Sequence, residues 1–216
     1  MPANRVWLIR HGETDWNTQH RWQGHAPTSL NASGHAQARS LGSHLRDEPI
    51  GVVYSSDLPR AFQTAQPIAA AHNLNPISDP RFREINVGVF QALFPDELAE
   101  LYPNELAAWR TGNRDYAPPA GESRNATTER AMAGFSEVTD NADVGGIAIV
   151  THGGTIRLML PVICPNDPKL QGKIPVPNTS YTLLERSGDR WYIIELTVTP
   201  HLEDGGAGGN TAESSL

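Results

Sequence analysis

The sequence lacks the features that mark secreted and membrane proteins. It has one cysteine, Cys164, so neither a disulfide framework nor a thiolate metal site is available. No activating motif surrounds Cys164, which favours a small buried residue over a catalytic thiol. No apolar run approaches the roughly 18 to 20 residues of a membrane span, and the first residues lack a signal-peptide pattern. The sequence therefore predicts a cytoplasmic protein.

Concentrated positive charge is also missing. The formal net charge is −7, and the 17 basic residues are spread along the chain without a Lys/Arg-rich block. This distribution argues against nucleic acid and anionic membranes as partners. An anionic ligand must then be held by individual arginines, since a pocket can be positive inside an acidic protein.

Apolar runs alternate with helical patterns, which indicates an α/β fold. Strands are predicted at residues 5–9, 51–54, 146–151, 179–185 and 191–198. Helices are predicted at about 33–46, 59–72, 122–138 and 155–163. The last two strands, with a turn at 186–189, read as an antiparallel pair. We therefore predict three α/β/α layers around a mixed, mostly parallel central sheet.

The chain has the length of one catalytic domain. At 216 residues and 38% hydrophobic composition it can bury one sizeable core. We place this single domain at residues 1–202. Residues 84–103 match no regular element clearly. The Gly- and Ser-rich residues 203–216 are predicted to be a disordered tail.

Polar clusters follow three of the predicted strands: Arg10-His11, the stretch from Asp57 to Arg60, and His152-Gly153-Gly154. Residues just past strand ends meet in the crevice where α/β sheets bind ligands. Arginine presents a planar fork of donors to phosphate oxygens, and a neutral imidazole can attack phosphorus. The glycines after His152 open a helix whose free N–H groups should favour a dianion. These clusters predict a phosphoryl-transfer site.

Ordered sequence blocks carry a family resemblance. They include Arg10-His11-Gly12 within residues 8–17, Gln23-Gly24, residues 55–65, Arg83-Glu84-Ile85, Gly121-Glu122-Ser123 and residues 150–157. Their order and spacing resemble the histidine phosphatase superfamily, also called phosphoglycerate mutase-like, over about residues 4–202.

The resemblance implies a role for each matching residue. His11 would be the nucleophile, and Glu84 would protonate the leaving oxygen and then help to activate water. The phosphoryl oxygens would be held by Arg10, His11, Asn17, Arg60, His152 and Gly153. No cofactor or metal is implied, because arginines can stabilise the charge of a phosphoryl transition state. The remaining histidines show no metal-ligand spacing such as HExxH, so surface or packing roles are preferred for them.

The sequence departs from the family pattern at Pro27, where an Asp is usual, and at residues 89–92. The long insertions of true phosphoglycerate mutases are also missing. A mutase must keep its phosphohistidine away from water under a covering lid, so this absence favours a phosphatase. Mutase-type transfer and a catalytically inactive phospho-ligand or protein-binding module are the alternatives.

The substrate is expected to be a small phosphorylated metabolite. Residues from about 90 to 122 form the predicted lid and specificity wall, whose aromatic residues could instead only pack against the core. Candidate substrate-binding residues are Gln23, Gly24, Arg110, Arg114 and Arg124. We expect the protein to be a monomer or a homodimer.

Overall fold

The computed structural model describes residues 3–203. Its strands are β1 (Arg5–Arg10), β2 (Ile50–Ser55), β3 (Ile77–Ser78), β4 (Gly146–Thr151), β5 (Tyr181–Ser187) and β6 (Arg190–Val198). Its α-helices are α1 (Asp15–Thr18), α2 (Ala32–His44), α3 (Pro59–Ala71), α4 (Pro95–Leu101), α5 (Pro103–Arg110), α6 (Arg124–Asn141), α7 (Gly153–Ile163) and α8 (Pro200–Glu203). Short 3₁₀ helices cover Pro80–Phe82, Gly88–Phe90 and Pro168–Leu170. Of the predicted disordered tail at 203–216, only Glu203 is described, and it ends α8. Residues 204–216 lie outside the described residues.

The six strands form one sheet in the order β3-β2-β4-β1-β5-β6. Strand β1 is parallel to β4, and β2 is parallel to both β4 and β3. Strand β5 is antiparallel to β1 and to β6. The predicted mixed, mostly parallel sheet is therefore confirmed.

Helices cover both faces of the sheet because its central strands are apolar on both sides. Along β1, Val6 and Leu8 pack in a cluster with side chains of α6 and α7. Trp7 and Ile9 alternate with them and pack in a second cluster with side chains of α2 and α3. This arrangement gives the three predicted layers.

Several element boundaries differ from the predicted ones. Helix α6 begins at Arg124 rather than at residue 122, because the Ser123 side chain accepts the Ala126 N–H as N-cap. The β5–β6 loop has only two residues, and Gly188 takes its first position at a φ of +61°, a conformation that suits glycine. The N-cap of α3 is Leu58, which makes no capping hydrogen bond with its side chain. The polar residues 55–57 therefore do not cap this helix.

Helices α4 and α5 lie within the predicted lid and specificity wall and have an apolar cluster of their own. Trp109 of α5 packs edge-on against Trp22 and Phe90, with ring centroids 6.2 Å from each. Phe90 and Trp109 of this segment therefore pack against each other, and Trp109 also lines a cavity. No helix in the described range 3–203 is long and apolar enough to cross a membrane.

Candidate active site

A small pocket lies at the carboxyl ends of the parallel strands. His11 directly follows β1, His152 directly follows β4, and Arg60 lies in the first turn of α3, just past β2. The pocket encloses about 40 Å³. Its walls are Arg10, His11, Asn17, Arg21, Trp22, Gln23, Gly24, Arg60, Glu84, Val87, Gly153, Gly154 and Arg157. Of the strand-end residues predicted to converge, Asp57 and His152 are absent from these walls, and Asp57 is paired with Arg83 instead.

His11 presents its Nε2 to this pocket. Its Nδ1 lies 2.7 Å from the Gly12 carbonyl oxygen, which requires the ring proton on Nδ1. Nε2 then keeps its lone pair and accepts a hydrogen bond from Nε of Arg60 at 3.3 Å. Burial and the charges of Arg60 and Arg10 hold the pKa of His11 well below its ordinary value of 6.5. His11 is therefore a neutral imidazole with an available nucleophilic nitrogen at pH 7.

The Arg60 guanidinium is rigidly held. Its side chain is 1% exposed, and its terminal nitrogens donate to the carbonyl oxygens of Gly24 at 2.8 Å and Ala26 at 2.9 Å. Burial lowers the pKa of Arg60 to about 10, against a rise caused by the Glu84 charge, so Arg60 stays charged at neutral pH. Arg10 is also buried and donates to the Val176 carbonyl oxygen at 2.5 Å. Two fixed positive charges therefore flank His11.

The Glu84 carboxyl group is bound at the start of α7. Oε1 accepts from the backbone N–H of Ile85 and from both the N–H and the hydroxyl of Thr155, at 2.9 to 3.1 Å. Within residues 3–203, Oε2 accepts one hydrogen bond, from the Gly154 N–H at 3.0 Å. The expectation that these α7 N–H groups are free for a dianion was wrong for Gly154 and Thr155, because Glu84 occupies them. A side chain at Gly154 would also collide with Oε1 of Glu84.

His152 is fully buried and is absent from the pocket walls. Its ring lies beside that of His11, with the two ring centroids 5.1 Å apart. Its Nε2 lies 2.9 Å from the Ser56 hydroxyl. Among the described residues, its Nδ1 has no hydrogen-bond partner. Burial and the charge of Arg60 hold the pKa of His152 well below 6.5, so this ring is neutral too.

Asn17 is oriented by its neighbours. Its Oδ1 accepts from the Thr14 N–H at 3.1 Å and from the Asn178 amide at 3.3 Å. This leaves its own amide N–H groups as the donors on the pocket wall. The same Asn178 amide donates to the His11 carbonyl oxygen at 3.1 Å, and the Thr179 N–H donates to that oxygen at 3.2 Å.

The candidate substrate-binding residues separate into three groups. Gln23 and Gly24 line the catalytic pocket. Arg110 and Arg124 line a neighbouring cavity, which shares only the Trp22 wall with the pocket. Arg114 lines neither space, because its guanidinium donates to side-chain oxygens of Asn125 and Thr128 at 3.0 Å.

Sequence reasoning missed several residues at the site. The pocket is also lined by Arg21, Trp22, Val87 and Arg157. Arg21 and Trp22 could have been found from the sequence, because they directly precede the family block Gln23-Gly24. Asn178 and Thr179 carried no signal except their position just before a strand that pairs with β1.

Arg130 is another residue that sequence reasoning missed. Its guanidinium donates to the carbonyl oxygens of Arg81, Arg83 and Glu84 at 2.7 to 2.8 Å, and it forms an ion pair with Glu122. It therefore fixes the backbone that carries the Glu84 carboxyl group.

Comparison with known proteins agrees with this geometry. The model of the histidine phosphatase superfamily, branch 1, matches residues 6–199. Phosphoglycerate mutase-like protein 4 of Arabidopsis thaliana is 34% identical over 203 residues, 92% of this chain and 87% of that protein. Phosphoserine phosphatase 1 of Hydrogenobacter thermophilus is 30% identical over 195 residues, 90% of this chain and 92% of that protein.

A solved structure extends the likeness to three dimensions. A mycobacterial glucosyl-3-phosphoglycerate phosphatase in complex with VO3 has a TM-score of 0.80 and is 28% identical. The match covers 91% of this chain and 100% of the phosphatase chain. The chain therefore belongs to the histidine phosphatase superfamily and is a phosphoric monoester hydrolase.

Proposed function

We propose that the chain hydrolyses a small phosphorylated metabolite through a phosphohistidine on Nε2 of His11. One observation carries this proposal: the lone pair of His11 and the carboxyl group of Glu84 border the same pocket of about 40 Å³. That volume holds about three water molecules and therefore little more than a phosphoryl group. A nucleophile and a proton donor border a space of the size that the reacting group needs.

In the first half-reaction, Nε2 of His11 attacks phosphorus, and the bond from phosphorus to the leaving oxygen breaks. The leaving oxygen takes the proton of Glu84 and departs as an alcohol. In the second half-reaction, a water molecule attacks phosphorus and gives a proton to the Glu84 carboxylate. The bond from phosphorus to nitrogen breaks, which releases inorganic phosphate and restores neutral His11.

The phosphoryl oxygens are held by cationic and neutral donors. Arg10 and Arg60 supply fixed positive charge on both sides of His11, and Asn17 supplies amide N–H groups. His152 is absent from the pocket walls, and we include it as a further donor because it adjoins His11 and its Nδ1 has no partner within residues 3–203. Nδ1 carries the ring proton when Ser56 Oγ, which accepts the Leu58 N–H at 3.3 Å, gives its own proton to Nε2. Gly153 also lines the pocket, and a side chain added there would lie 3.4 Å from Nε of Arg10.

Hydrolysis of p-nitrophenyl phosphate in the presence of a chelator tests this function. We expect turnover, and we expect the His11→Ala variant to lose at least about a thousandfold in kcat. His35→Ala, on the exposed face of α2, is the matched control and should keep full activity. A folded chain that hydrolyses no phosphomonoester would contradict the proposal and favour the inactive binding module.

Mutase-type transfer is tested separately, because one relative carries the name phosphoglycerate mutase-like. With 3-phosphoglycerate as substrate, we expect free phosphate rather than 2-phosphoglycerate. The expected cytoplasmic location and the monomeric or homodimeric state stay predictions.

A further inference from the structure

A second, larger cavity adjoins the catalytic pocket. It encloses about 400 Å³, ten times the volume of the pocket, and both spaces have Trp22 as a wall. Its walls are Trp22, Pro95, Leu98, Leu106, Trp109, Arg110, Gly112 and Arg124. A volume of this size is typical of a small-molecule site.

The two volumes differ in what they can hold. The catalytic pocket has room for the phosphoryl group but not for the rest of a metabolite. The leaving group must therefore extend outward, and the larger cavity has Trp22 as a wall in common with the pocket. Its apolar walls, Leu98, Leu106 and Trp109, suit the carbon skeleton of such a group.

Two guanidinium groups in this cavity lack a carboxylate partner among residues 3–203. Arg124 is partly buried and stacks on Trp109, with its guanidinium carbon 3.7 Å from the ring centroid. Its terminal nitrogens reach only the Trp109 carbonyl oxygen, at 3.3 Å. Within residues 3–203, neither Arg124 nor Arg110 forms an ion pair, whereas Arg83 and Arg130 each pair with an acidic residue.

An arginine held this way is prepared for an anion. Stacking on the indole fixes the plane of the Arg124 guanidinium, so less side-chain entropy is lost when its fork binds an oxyanion. Burial lowers the pKa of Arg124, as expected of a cation that has given up water without gaining a counter-charge. In a chain of net charge −7, two unpaired arginines in one cavity form a local positive site.

We propose that this cavity binds a carboxylate at the far end of the substrate's leaving group, with Arg124 as the main ligand and Arg110 as the second. The preferred substrates are then phosphomonoesters with an apolar middle and a terminal carboxylate. This inference rests on the proposed hydrolytic function and adds the substrate class.

The test compares two esters of equal length that differ in one charge. These are 3-(4-phosphonooxyphenyl)propanoate and its primary amide. We expect kcat/KM for the carboxylate to exceed that for the amide at least about tenfold, mainly through KM. In Arg124→Gln, and further in the double variant with Arg110→Gln, the ratio should fall to within about twofold of one.

Arg39→Gln is the control, because it removes an exposed arginine of α2 that lines neither space. It should keep the preference of the unmodified chain. A ratio near one in the unmodified chain, or a preference that survives both substitutions, would overturn the subsite.

Failure of the subsite is distinguishable from failure of the hydrolytic function. If p-nitrophenyl phosphate and both esters are left intact, the hydrolytic function fails. The non-hydrolysable phosphonate analogues of the two esters then supply the same comparison by calorimetry. Tighter binding of the carboxylate that depends on Arg124 supports the subsite, and equal binding overturns it.

Discussion

Nε of Arg60 donates to Nε2 of His11 at 3.3 Å. The two residues follow different strands, so the sheet brings them together. Arg60 thereby disfavours a proton on Nε2 of His11. In the mechanism proposed above, the same guanidinium also holds a phosphoryl oxygen, so one arginine would serve both the nucleophile and the transferred group.

The lowered pKa of His11 predicts the acid side of the pH profile. Its neutral form should persist below pH 6.5, so phosphorylation of His11 by p-nitrophenyl phosphate, whose leaving group needs no proton, should not lose rate between pH 8 and about 6. The rate should decline only as pH approaches the lowered pKa. Single-turnover kinetics, with an NMR titration of the His11 Cε1 signal assigned by its loss in His11→Ala, measures this. A midpoint at or above 6.5 would contradict the geometry.

Glu84→Gln should separate esters by leaving group. An alkyl phosphate needs a proton on its leaving oxygen, so its kcat/KM should fall about 10² to 10⁴-fold. p-Nitrophenolate leaves without that proton, so kcat/KM for p-nitrophenyl phosphate should fall much less. Its steady-state kcat should still fall, with a burst of nitrophenol, because water attack also uses Glu84. Equal loss of kcat/KM for both esters would exclude Glu84 as the proton donor.

Asn178 is predicted to position the nucleophile without touching the substrate. Its amide joins the His11 carbonyl oxygen to Oδ1 of Asn17, and its neighbour Thr179 has a φ of +55°, rare for a β-branched residue. Asn178→Ala should lower kcat about 10- to 100-fold, because small displacements of reacting groups are costly. KM should change little.

The control for this variant is Asn104→Ala, an exposed residue at the start of α5, which should leave kcat unchanged. If Asn178→Ala loses stability in thermal unfolding but keeps its kcat, Asn178 has only a structural role.

His201 predicts how stability depends on pH. Burial and the nearby His44 lower its pKa in the folded chain to about 4, below the value near 6.5 expected on unfolding. The unfolded chain therefore takes up the proton first, and this residue makes the free energy of unfolding decrease as pH falls from about 6.5 to about 4. Above about pH 6.5, His201 is neutral in both states and does not lower the free energy of unfolding.

Thermal unfolding of His201→Gln between pH 7.5 and 4.5 measures this effect. The Tm of the variant should fall less over that range than the Tm of the unmodified chain. His35→Gln, with its exposed side chain, should reproduce the profile of the unmodified chain. Equal slopes for all three proteins would argue against the buried neutral His201.

Much of the fold was predictable because local pattern specifies it. The run of Gly146–Thr151 is apolar and buried along its whole length, and the structure has this strand at the predicted bounds. The segment after Glu84 was not predictable in this way. Its 3₁₀ turn at Gly88–Phe90 and its aromatic residues are ordered by distant contacts such as Phe90 with Trp109, which no local period records.

The sequence by itself determined which chemical groups stand at the strand ends, and so the kind of site. His11, Arg60 and His152 could be named because strand ends and helix starts follow from hydrophobic periodicity. Only the tertiary structure decided how each group is used. The N–H groups of Gly154 and Thr155 bind Glu84, and Nδ1 of His11 bonds to the Gly12 carbonyl oxygen. Arg124 stacks on Trp109 and forms no ion pair within residues 3–203. These outcomes depend on hydrogen bonds and ring contacts between segments far apart in the chain, and such contacts exist only after the sheet and its helices pack.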